Sequence, residues 1–120
     1  MPRRGEVWVA NLNPRRGTEP GKRRPVLIVQ AQALLDASHP STVVVPLTTN
    51  LIDGAQPLRI RLPASGQLRH PSDLLIDQIR AVDNRRLIEG PLAALDDAAM
   101  EQVNSAITDV LDLIRQSPIT

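Results

Sequence analysis

Aromatic side chains are nearly missing from this sequence. Among its 120 residues Trp8 is the one aromatic residue, and Phe and Tyr do not occur. Proteins that read single-stranded nucleic acid on an RRM-like or OB-like surface stack successive bases on several aromatic rings. Such a surface is not expected here, and any base stacking would fall to Trp8, His39, His70 or arginine side chains. The core must be aliphatic, because apolar residues make up 42% of the chain.

Cysteine is absent, and long apolar runs are absent as well. Without cysteine the chain has no disulfide, no thiolate nucleophile and no cysteine zinc site, a composition typical of cytoplasmic proteins. His39 and His70 are too far apart in sequence to resemble a metal-binding pair, so no metal and no other cofactor is expected. No segment is long enough to span a membrane and the N-terminus lacks a signal-peptide core, which predicts a cytoplasmic protein without membrane contact.

Charge is unevenly distributed along the chain, although the formal net charge is only +1. Residues 1–24 carry seven Arg or Lys and two carboxylates, whereas residues 92–120 carry five carboxylates and one Arg. A basic end of a domain favours contact with a polyanion. A lopsided charge without any function explains the composition equally well, so charge alone leaves both interpretations open.

Short strands are predicted over most of the chain, because apolar segments are separated by turn signals. The runs at 24–30 and 42–49 are continuously apolar, which predicts strands buried on both faces. In segment 57–63 apolar residues alternate with arginines, which predicts a half-exposed strand. Leu58 and Ile60 are expected on its inner face and the two arginines on its outer face. The remaining predicted strands are 5–12, 73–83 and 86–90. The hydrophobic period of segment 73–83 is ambiguous, but the turn signals on both sides of it favour a strand.

An amphipathic helix is predicted after the last strand. Apolar residues recur at helical spacing from Leu95 to Ile114, with carboxylates on the other side. Asp96 is suited to cap the helix N-terminus, with Leu95 packing on Met100, and Ser117-Pro118 ends the pattern.

Together these elements predict one domain over residues 1–120, mainly β with a C-terminal helix. Several short strands followed by a helix are typical of a strongly bent sheet or barrel with the helix packed on it. The barrel is expected over about 4–92 and the helix over about 96–115. No helical crossover is predicted between the strands, which argues against βαβ units.

Glu19 and Arg24 form the first candidate site. Pro20 and Gly21 lie between them, so a tight loop could bring the carboxylate and the guanidinium together. A carboxylate can accept a proton, and a guanidinium can bind a phosphate through two hydrogen bonds. The simpler interpretation is a surface ion pair that contributes about 0–1 kcal/mol, and the residues alone favour it.

Two further segments place polar groups next to apolar runs. Residues 46–50 end a buried strand with two hydroxyls and an amide, which can bind phosphate but more often form an ordinary turn. Residues 77–83 insert Asp77, Gln78 and Arg80 into an apolar run, where buried polar groups need partners. These three residues are therefore either structural cross-links or the walls of a site.

Taken in order, the motifs resemble a known protein family. They read R-G-E-V-W, G-x-E-x-x-x-x-R-P-V-L, V-P-L-T and D-Q-I-R-x-V-D, and they follow one another between Arg4 and Leu87. Any one of them alone is weak, whereas the four together are specific. The sequence is similar to the MazF/PemK/Kid family of toxin endoribonucleases, which are the toxin halves of type II toxin–antitoxin modules.

The resemblance implies an SH3-like twisted β-barrel with a long C-terminal helix, working as a homodimer. It implies metal-independent, sequence-specific cleavage of single-stranded RNA, including mRNA, which inhibits translation and growth. In this reaction the 2′-hydroxyl attacks the adjacent phosphate and leaves a 2′,3′-cyclic phosphate and a 5′-hydroxyl. The resemblance also implies a MazE-like antitoxin, encoded beside the toxin, that blocks the RNA groove.

The family's usual catalytic pair corresponds to Arg24 and Thr48, with Glu19 as a supporting or proton-transferring group. Attack by the 2′-hydroxyl builds negative charge on phosphorus, and a fixed guanidinium stabilises that charge. Arginine is a poor base, so Glu19 is the expected proton acceptor. The residues expected to bind RNA are Lys22, Arg23, Thr49, Asn50, Ser72, Asp77 and Gln78.

The sequence departs from relatives in two places. Its loop reads E-P-G-K where many relatives read E-Q-x-G, so the relatives do not define the loop path near Pro20. Some relatives place an arginine two residues before the D-Q step, where this chain has Leu75. The missing charge has to come from another cation or be absent, and Arg69 is the nearest spare cation in sequence.

Two other functions fit the same predicted elements. Gyrase poisons of the CcdB type share the barrel and the dimer but act through a tryptophan-bearing C-terminal end, whereas this chain ends in RQSPIT. A plain SH3-like barrel would bind nucleic acid without cutting it. RNA that is cut in the presence of EDTA separates the endoribonuclease from both.

Overall fold

Seven antiparallel strands and one long helix make up most of the fold. A computed structural model of the chain describes residues 1–19 and 21–113. The elements in chain order are β1 (Glu6–Asn11), β2 (Arg23–Ile28), α1 (Gln32–Asp36), β3 (Ser41–Thr48), β4 (Arg59–Leu62), β5 (Ser72–Leu75), β6 (Arg80–Asp83), β7 (Leu87–Ala94) and α2 (Asp97–Leu111). Short 3₁₀ turns at Ile76–Gln78 and Asn84–Arg86 separate β5 from β6 and β6 from β7.

The strands form a single bent sheet in the order β4-β5-β3-β2-β1-β7, and β6 also pairs with β3. Every pairing is antiparallel, so the expectation that βαβ units are absent is confirmed. Within the described residues β4 and β7 do not pair with each other, and the sheet is open along that edge. The turn between β4 and β5 lies against this gap, where the Gln67 N–H donates to the Leu92 carbonyl over 2.7 Å.

The two continuously apolar strands are buried on both faces, as predicted. Along β2 and β3, Leu27 and Val45 belong to the core cluster on one face of the sheet, whereas Val26 and Val44 belong to the cluster on the other face. Helix α2 covers the first face with Met100, Val103 and Ala106. The opposite face is covered by Leu12 and Leu35, with Trp8 and Leu87 packed at its border.

The helix begins where the sequence predicts and ends earlier. The Asp96 carboxylate accepts a hydrogen bond from the Ala99 N–H over 2.8 Å, which caps the first turn. Leu95 and Met100 belong to the same core cluster. The helix ends at Leu111, because Asp112 takes the left-handed conformation with φ of 55°. The predicted end near residue 115 is therefore wrong, and the predicted stop at Ser117-Pro118 falls outside the described residues.

Segment 73–83 is two strands rather than the single strand predicted. Leu47 faces Leu74, so a regular ladder would place Asp77 opposite Val44, but Arg80 stands there instead. The three extra residues form the 3₁₀ turn. Pro46 lies between the part of β3 that pairs with β5 and the part that pairs with β6. Proline has no N–H to donate to a strand partner. The partner strand can bulge there without leaving a β3 donor unpaired.

Three smaller expectations are also wrong. A short helix, α1, lies between β2 and β3, where none was predicted. Its five residues are fewer than a periodic pattern needs in order to be visible. Leu58 is not on the inner face of β4 but is 50% exposed, because the strand begins one residue later at Arg59. The last strand continues to Ala94, beyond the predicted end at 90.

Candidate functional site

A cleft of about 490 Å³ opens where the loop between β1 and β2 meets the ends of β3, β4 and β5. All three residues implied to be catalytic line it: Glu19, Arg24 and Thr48. Its walls also carry the cations Arg15, Lys22 and Arg59, so four cations face one carboxylate, Glu19. The cleft is therefore an electropositive site suited to a phosphodiester.

Arg24 is held at the entrance of β2 by the main chain rather than by a carboxylate. Its Nε donates to the Gly21 carbonyl over 2.9 Å and its Nη1 donates to the Leu47 carbonyl over 3.3 Å. Burial lowers the pKa of the guanidinium from its ordinary value, and the nearby charge of Arg15 adds to this effect. Because an arginine ordinarily titrates above about 12, the group remains a cation at neutral pH. Its full charge is thus directed into the cleft from a fixed position.

Thr48 ends β3 beside Arg24. Its Oγ1 accepts a hydrogen bond from the Asn50 N–H over 3.1 Å, which fixes the position of the oxygen. A hydroxyl that accepts one hydrogen bond can still donate its own proton. Thr48 can therefore donate to a phosphate oxygen or align a nucleophilic hydroxyl in the same cleft.

Glu19 lies in the loop between β1 and β2 and is exposed. Its N–H donates to the Arg16 carbonyl over 2.9 Å, in a tight turn before Pro20. Among residues 1–19 and 21–113, no ion pair joins Glu19 to Arg24. The surface ion pair that the sequence favoured is therefore not formed. The carboxylate shares the cleft without neutralising the guanidinium.

The loop that carries Glu19 is held at its base by four hydrogen bonds. The Leu12 N–H donates to the Lys22 carbonyl over 2.8 Å, and the Lys22 N–H donates to Asn13 Oδ1 over 2.6 Å. Arg86 Nη1 donates to the carbonyls of Asn13 and Asn11, over 2.6 and 3.0 Å. The role of Arg86 was not predicted, since nothing in the sequence relates it to a loop more than 70 residues earlier.

Gly21 is required at its position in the same loop. A Cβ placed there would lie 2.7 Å from Arg15 Cβ, much closer than two carbon atoms can approach. The close contact lets Arg15 lie over Gly21, the residue whose carbonyl holds Arg24.

Arg59, another arginine of the cleft, was also missed as a site residue. It faces Leu75 across β4 and β5, and both residues line the cleft. Its side chain is held by Asp73, a carboxylate only 1% exposed. Asp73 also accepts from Arg61 Nε over 2.5 Å and from the Ile52 N–H over 2.9 Å. Burial raises the pKa of Asp73, but these hydrogen bonds outweigh it, and the net shift is downward.

The other residues implied to bind RNA are divided among three places. Lys22 and Asn50 lie in the main cleft. Thr49 and Ser72 line a neighbouring, mainly apolar pocket of about 250 Å³, which shares Thr48 with the cleft. Arg23, Asp77 and Gln78 line neither of these two cavities.

Arg69 does not stand in for the arginine missing at Leu75. It lines the neighbouring pocket with His70 instead of the cleft. The cation next to Leu75 in space is Arg59, which is 16 residues away in sequence and reaches it through strand pairing. The register between β4 and β5 is not visible in the sequence, so proximity along the chain indicated the wrong residue.

The described part of the chain contains neither a cluster of metal ligands nor a membrane-spanning helix. No group of three or more His, Cys, Asp or Glu residues there could hold a metal ion. No helix in that part is both long and apolar enough to cross a bilayer.

Comparisons with known proteins agree with this architecture. Residues 3–111 match the family described as PemK-like, MazF-like toxin of type II toxin–antitoxin system. The chain is 38% identical to the endoribonuclease MazF of Staphylococcus saprophyticus over 115 residues, which cover 94% of this chain and 93% of that protein. It is 32% identical to the endoribonuclease EndoA of Bacillus subtilis over 113 residues, covering 93% and 96%.

A solved structure shares the fold. It is an endoribonuclease in complex with its cognate antitoxin from a mycobacterial species, with a TM-score of 0.75 and 24% sequence identity. The alignment covers 97% of this chain and 100% of the other. At this identity the similarity establishes a shared arrangement of strands and helix.

Proposed function

Because the chain belongs to the PemK-like, MazF-like toxins of type II toxin–antitoxin systems, we propose that it is an endoribonuclease that cuts single-stranded RNA in the cleft of Arg24 and Thr48. The expected family is confirmed, and the expected activity is that of two curated relatives over most of the chain. The single observation that supports the location is the unneutralised Arg24 guanidinium, fixed beside the Thr48 hydroxyl in a cleft with four cations.

The proposed reaction uses the nucleophile of the RNA itself. The 2′-oxygen forms a bond to the adjacent phosphorus, and the bond from phosphorus to the 5′-oxygen of the next nucleotide breaks. Glu19 takes the proton of the 2′-hydroxyl, and the leaving 5′-oxygen takes a proton from water. The products are a 2′,3′-cyclic phosphate and a 5′-hydroxyl, and no step requires a metal.

Arg24 and Thr48 act on the charge that develops at phosphorus. A guanidinium already in place needs no reorganisation when the negative charge appears on the phosphate oxygens. Thr48 donates a hydrogen bond from its hydroxyl to one of those oxygens, while the hydroxyl oxygen accepts the Asn50 N–H. Lys22 and Asn50 belong to the same cleft and bind the flanking backbone of the RNA.

A cleavage assay in EDTA tests this proposal. End-labelled RNAs of varied sequence are incubated with the wild type, Arg24→Ala, Thr48→Val and the control Arg85→Ala. Arg85 is also a single positive charge, but it is 90% exposed and pairs with Asp83 away from the cleft. Removing one fixed donor to a developing oxyanion typically lowers kcat about 100- to 1000-fold. We expect that loss in the first two variants, cyclic-phosphate ends in the wild type, and unchanged activity in Arg85→Ala.

Two results would overturn the proposal. Uncut RNA across all sequences tested would leave a non-cleaving nucleic-acid-binding domain or a gyrase-binding toxin. Normal cleavage by Arg24→Ala would move the active site elsewhere.

The proposal includes the assembly of the molecule. The bent sheet forms an SH3-like barrel in which the turn around Gln67 covers the gap between β4 and β7. Two copies form a homodimer, supported by Leu111 and Leu113, which are about half-exposed at the end of α2. A MazE-like antitoxin inhibits the toxin in the cytoplasm, in keeping with the antitoxin complex of the mycobacterial relative.

A further inference from the structure

Arg59 lines the cleft, and one hydrogen-bonding edge of its guanidinium is unused. Its Nη1 donates to the Asn50 carbonyl over 2.8 Å and to Asp73 Oδ2 over 3.1 Å. Within residues 1–19 and 21–113, no group accepts from its Nε or Nη2. These two nitrogens form the side edge of the guanidinium, which matches two oxygens of one phosphate.

The contact with Asp73 does not by itself account for Arg59. Asp73 already accepts from Arg61 and from the Ile52 N–H, which are sufficient to compensate a buried carboxylate. Arg61 is also bound to Asp53 and is not among the residues lining the cleft. Arg59 is therefore the arginine of this network that lines the cleft, and Asp73 fixes its orientation there.

We propose that Arg59 binds, through Nε and Nη2, the RNA phosphate next to the one held by Arg24 and Thr48. The inference rests on the proposed ribonuclease function of the cleft. Two guanidiniums from different strands, β2 and β4, then hold successive phosphates, one fixed by main-chain carbonyls and one fixed by a buried carboxylate. Arg59 supplies this positive charge from β4, whereas the residue that faces it on β5, Leu75, is uncharged.

The first experiment measures how RNA binding depends on salt. The probe is an oligonucleotide that contains the mapped cut site with a 2′-deoxy sugar at the attacking position, so that it binds without being cut. Loss of one phosphate contact on a single strand lowers the slope of log K against log salt by about 0.7. We expect this change in Arg59→Gln. The matched control Arg61→Gln removes a charge from the same carboxylate outside the cleft and should keep the wild-type slope.

The second experiment identifies the phosphate. Methylphosphonate groups, which are uncharged, replace the phosphates of the same oligonucleotide one at a time. The wild type should lose affinity at the position next to the cut site, whereas Arg59→Gln should show no further loss there. Every other position that weakens wild-type binding should still weaken binding by the variant. A purely structural role for Arg59 would lower affinity without removing the effect of one particular phosphate.

Arg59→Lys keeps a positive charge beside Asp73 and is the second test variant, to be used if Arg59→Gln does not fold. Lysine lacks the planar pair of N–H donors that binds two phosphate oxygens at once. We therefore expect the wild-type slope of log K against log salt, with several-fold weaker binding. Three results overturn the inference: unchanged affinity in Arg59→Lys, a wild-type methylphosphonate profile in Arg59→Gln, or the same loss in Arg61→Gln. The proposed function is judged separately, by whether the wild type cuts RNA and Arg24→Ala does not.

Discussion

At the scale of residues, three adjacent cations have different environments. Lys22 lies in the cleft with its backbone in the left-handed conformation, Arg23 is exposed, and Arg24 is held by two carbonyls. The sequence already distinguished Arg24 from Lys22 and Arg23, because Pro25 follows Arg24 at the start of a buried strand and restricts its backbone. It did not predict the Arg59–Asp73–Arg61 network, whose members lie on two strands of unknown register. Strand pairing is not encoded at the level of single residues.

The role of Glu19 is tested by its pH dependence. If its carboxylate accepts the proton of the 2′-hydroxyl, the pH–rate profile of the wild type has an acidic limb on which the rate rises with pH. Glu19→Gln should remove this acidic limb and lower kcat by about 100- to 10,000-fold, the usual contribution of a general base. The measurement is a pH–rate profile of kcat with a single-site RNA. A near-normal rate with the acidic limb intact would assign the proton transfer to another group.

Asp73 should stabilise the fold in a pH-dependent way. Asp73→Asn removes one charge from a buried ion pair, which we expect to lower the free energy of unfolding by about 3 kcal/mol. The pKa of Asp73 is lowered in the folded state, so its contribution is complete above the unfolded value of about 3.9. The contribution then disappears as the pH falls through the lower folded value.

Urea unfolding between pH 2 and 7 measures the effect of Asp73→Asn. The difference in unfolding free energy between wild type and variant should be constant above about pH 5 and shrink in acid. A difference that is the same at every pH would mean that the lost carboxylate charge is not the cause.

At the scale of elements, hydrophobic patterning identified most of the strands and the start of the helix. It failed where a long-range partner decides the conformation. Segment 73–83 reads as a continuous strand, and only its pairing with β3 around Pro46 explains the 3₁₀ turn at Ile76–Gln78. Helix α1 carries no side-chain cap and buries only Leu35, so its sequence contains little helical signal.

The contact between β1 and β7 depends on a glycine. A Cβ at Gly90 would lie 2.4 Å from the Trp8 ring, so Gly90→Ala must displace the ring or the strand. Forcing a methyl group into a packed contact typically costs about 1–3 kcal/mol. The variant should have a lower melting temperature and altered Trp8 fluorescence.

Gly54→Ala is the control for this change. Gly54 has a φ of 69° but nothing within 4 Å of its missing Cβ. It should lose some stability from the left-handed backbone and leave the tryptophan emission unchanged. Wild-type emission and stability in Gly90→Ala would contradict the packing argument.

At the scale of the whole molecule, the site lies on the face of the sheet opposite α2. Strand alternation places Arg24 and Thr48 on the same side as Val26 and Val44, whereas α2 packs on the other side. The basic N-terminal end left open whether the protein contacts a polyanion, and in the structure four cations meet in one cleft. One of them, Arg59, comes from the middle of the chain, where charge is balanced.

The dimer is a prediction at this scale. Leu111→Glu and Leu113→Glu together should give a monomer of half the mass in light scattering, if the end of α2 forms the interface. Ile88→Glu is the matched control, because Ile88 is similarly exposed, at 44%, and lies on β7. A wild type that is monomeric at micromolar concentration would refute the homodimer.

The two hydrogen bonds from Arg86 to the base of the Glu19 loop have a consequence for synthesis of the protein. The loop that carries Glu19 is complete near the N-terminus, but its base is held by a residue 73 positions later. β1 likewise lies between β2 and β7, so its second edge is unpaired until the chain has been made to residue 94. Contacts of such long sequence separation form late. A nascent chain that has not yet reached β7 therefore lacks both the contacts that hold the base of the Glu19 loop and the second neighbour of β1.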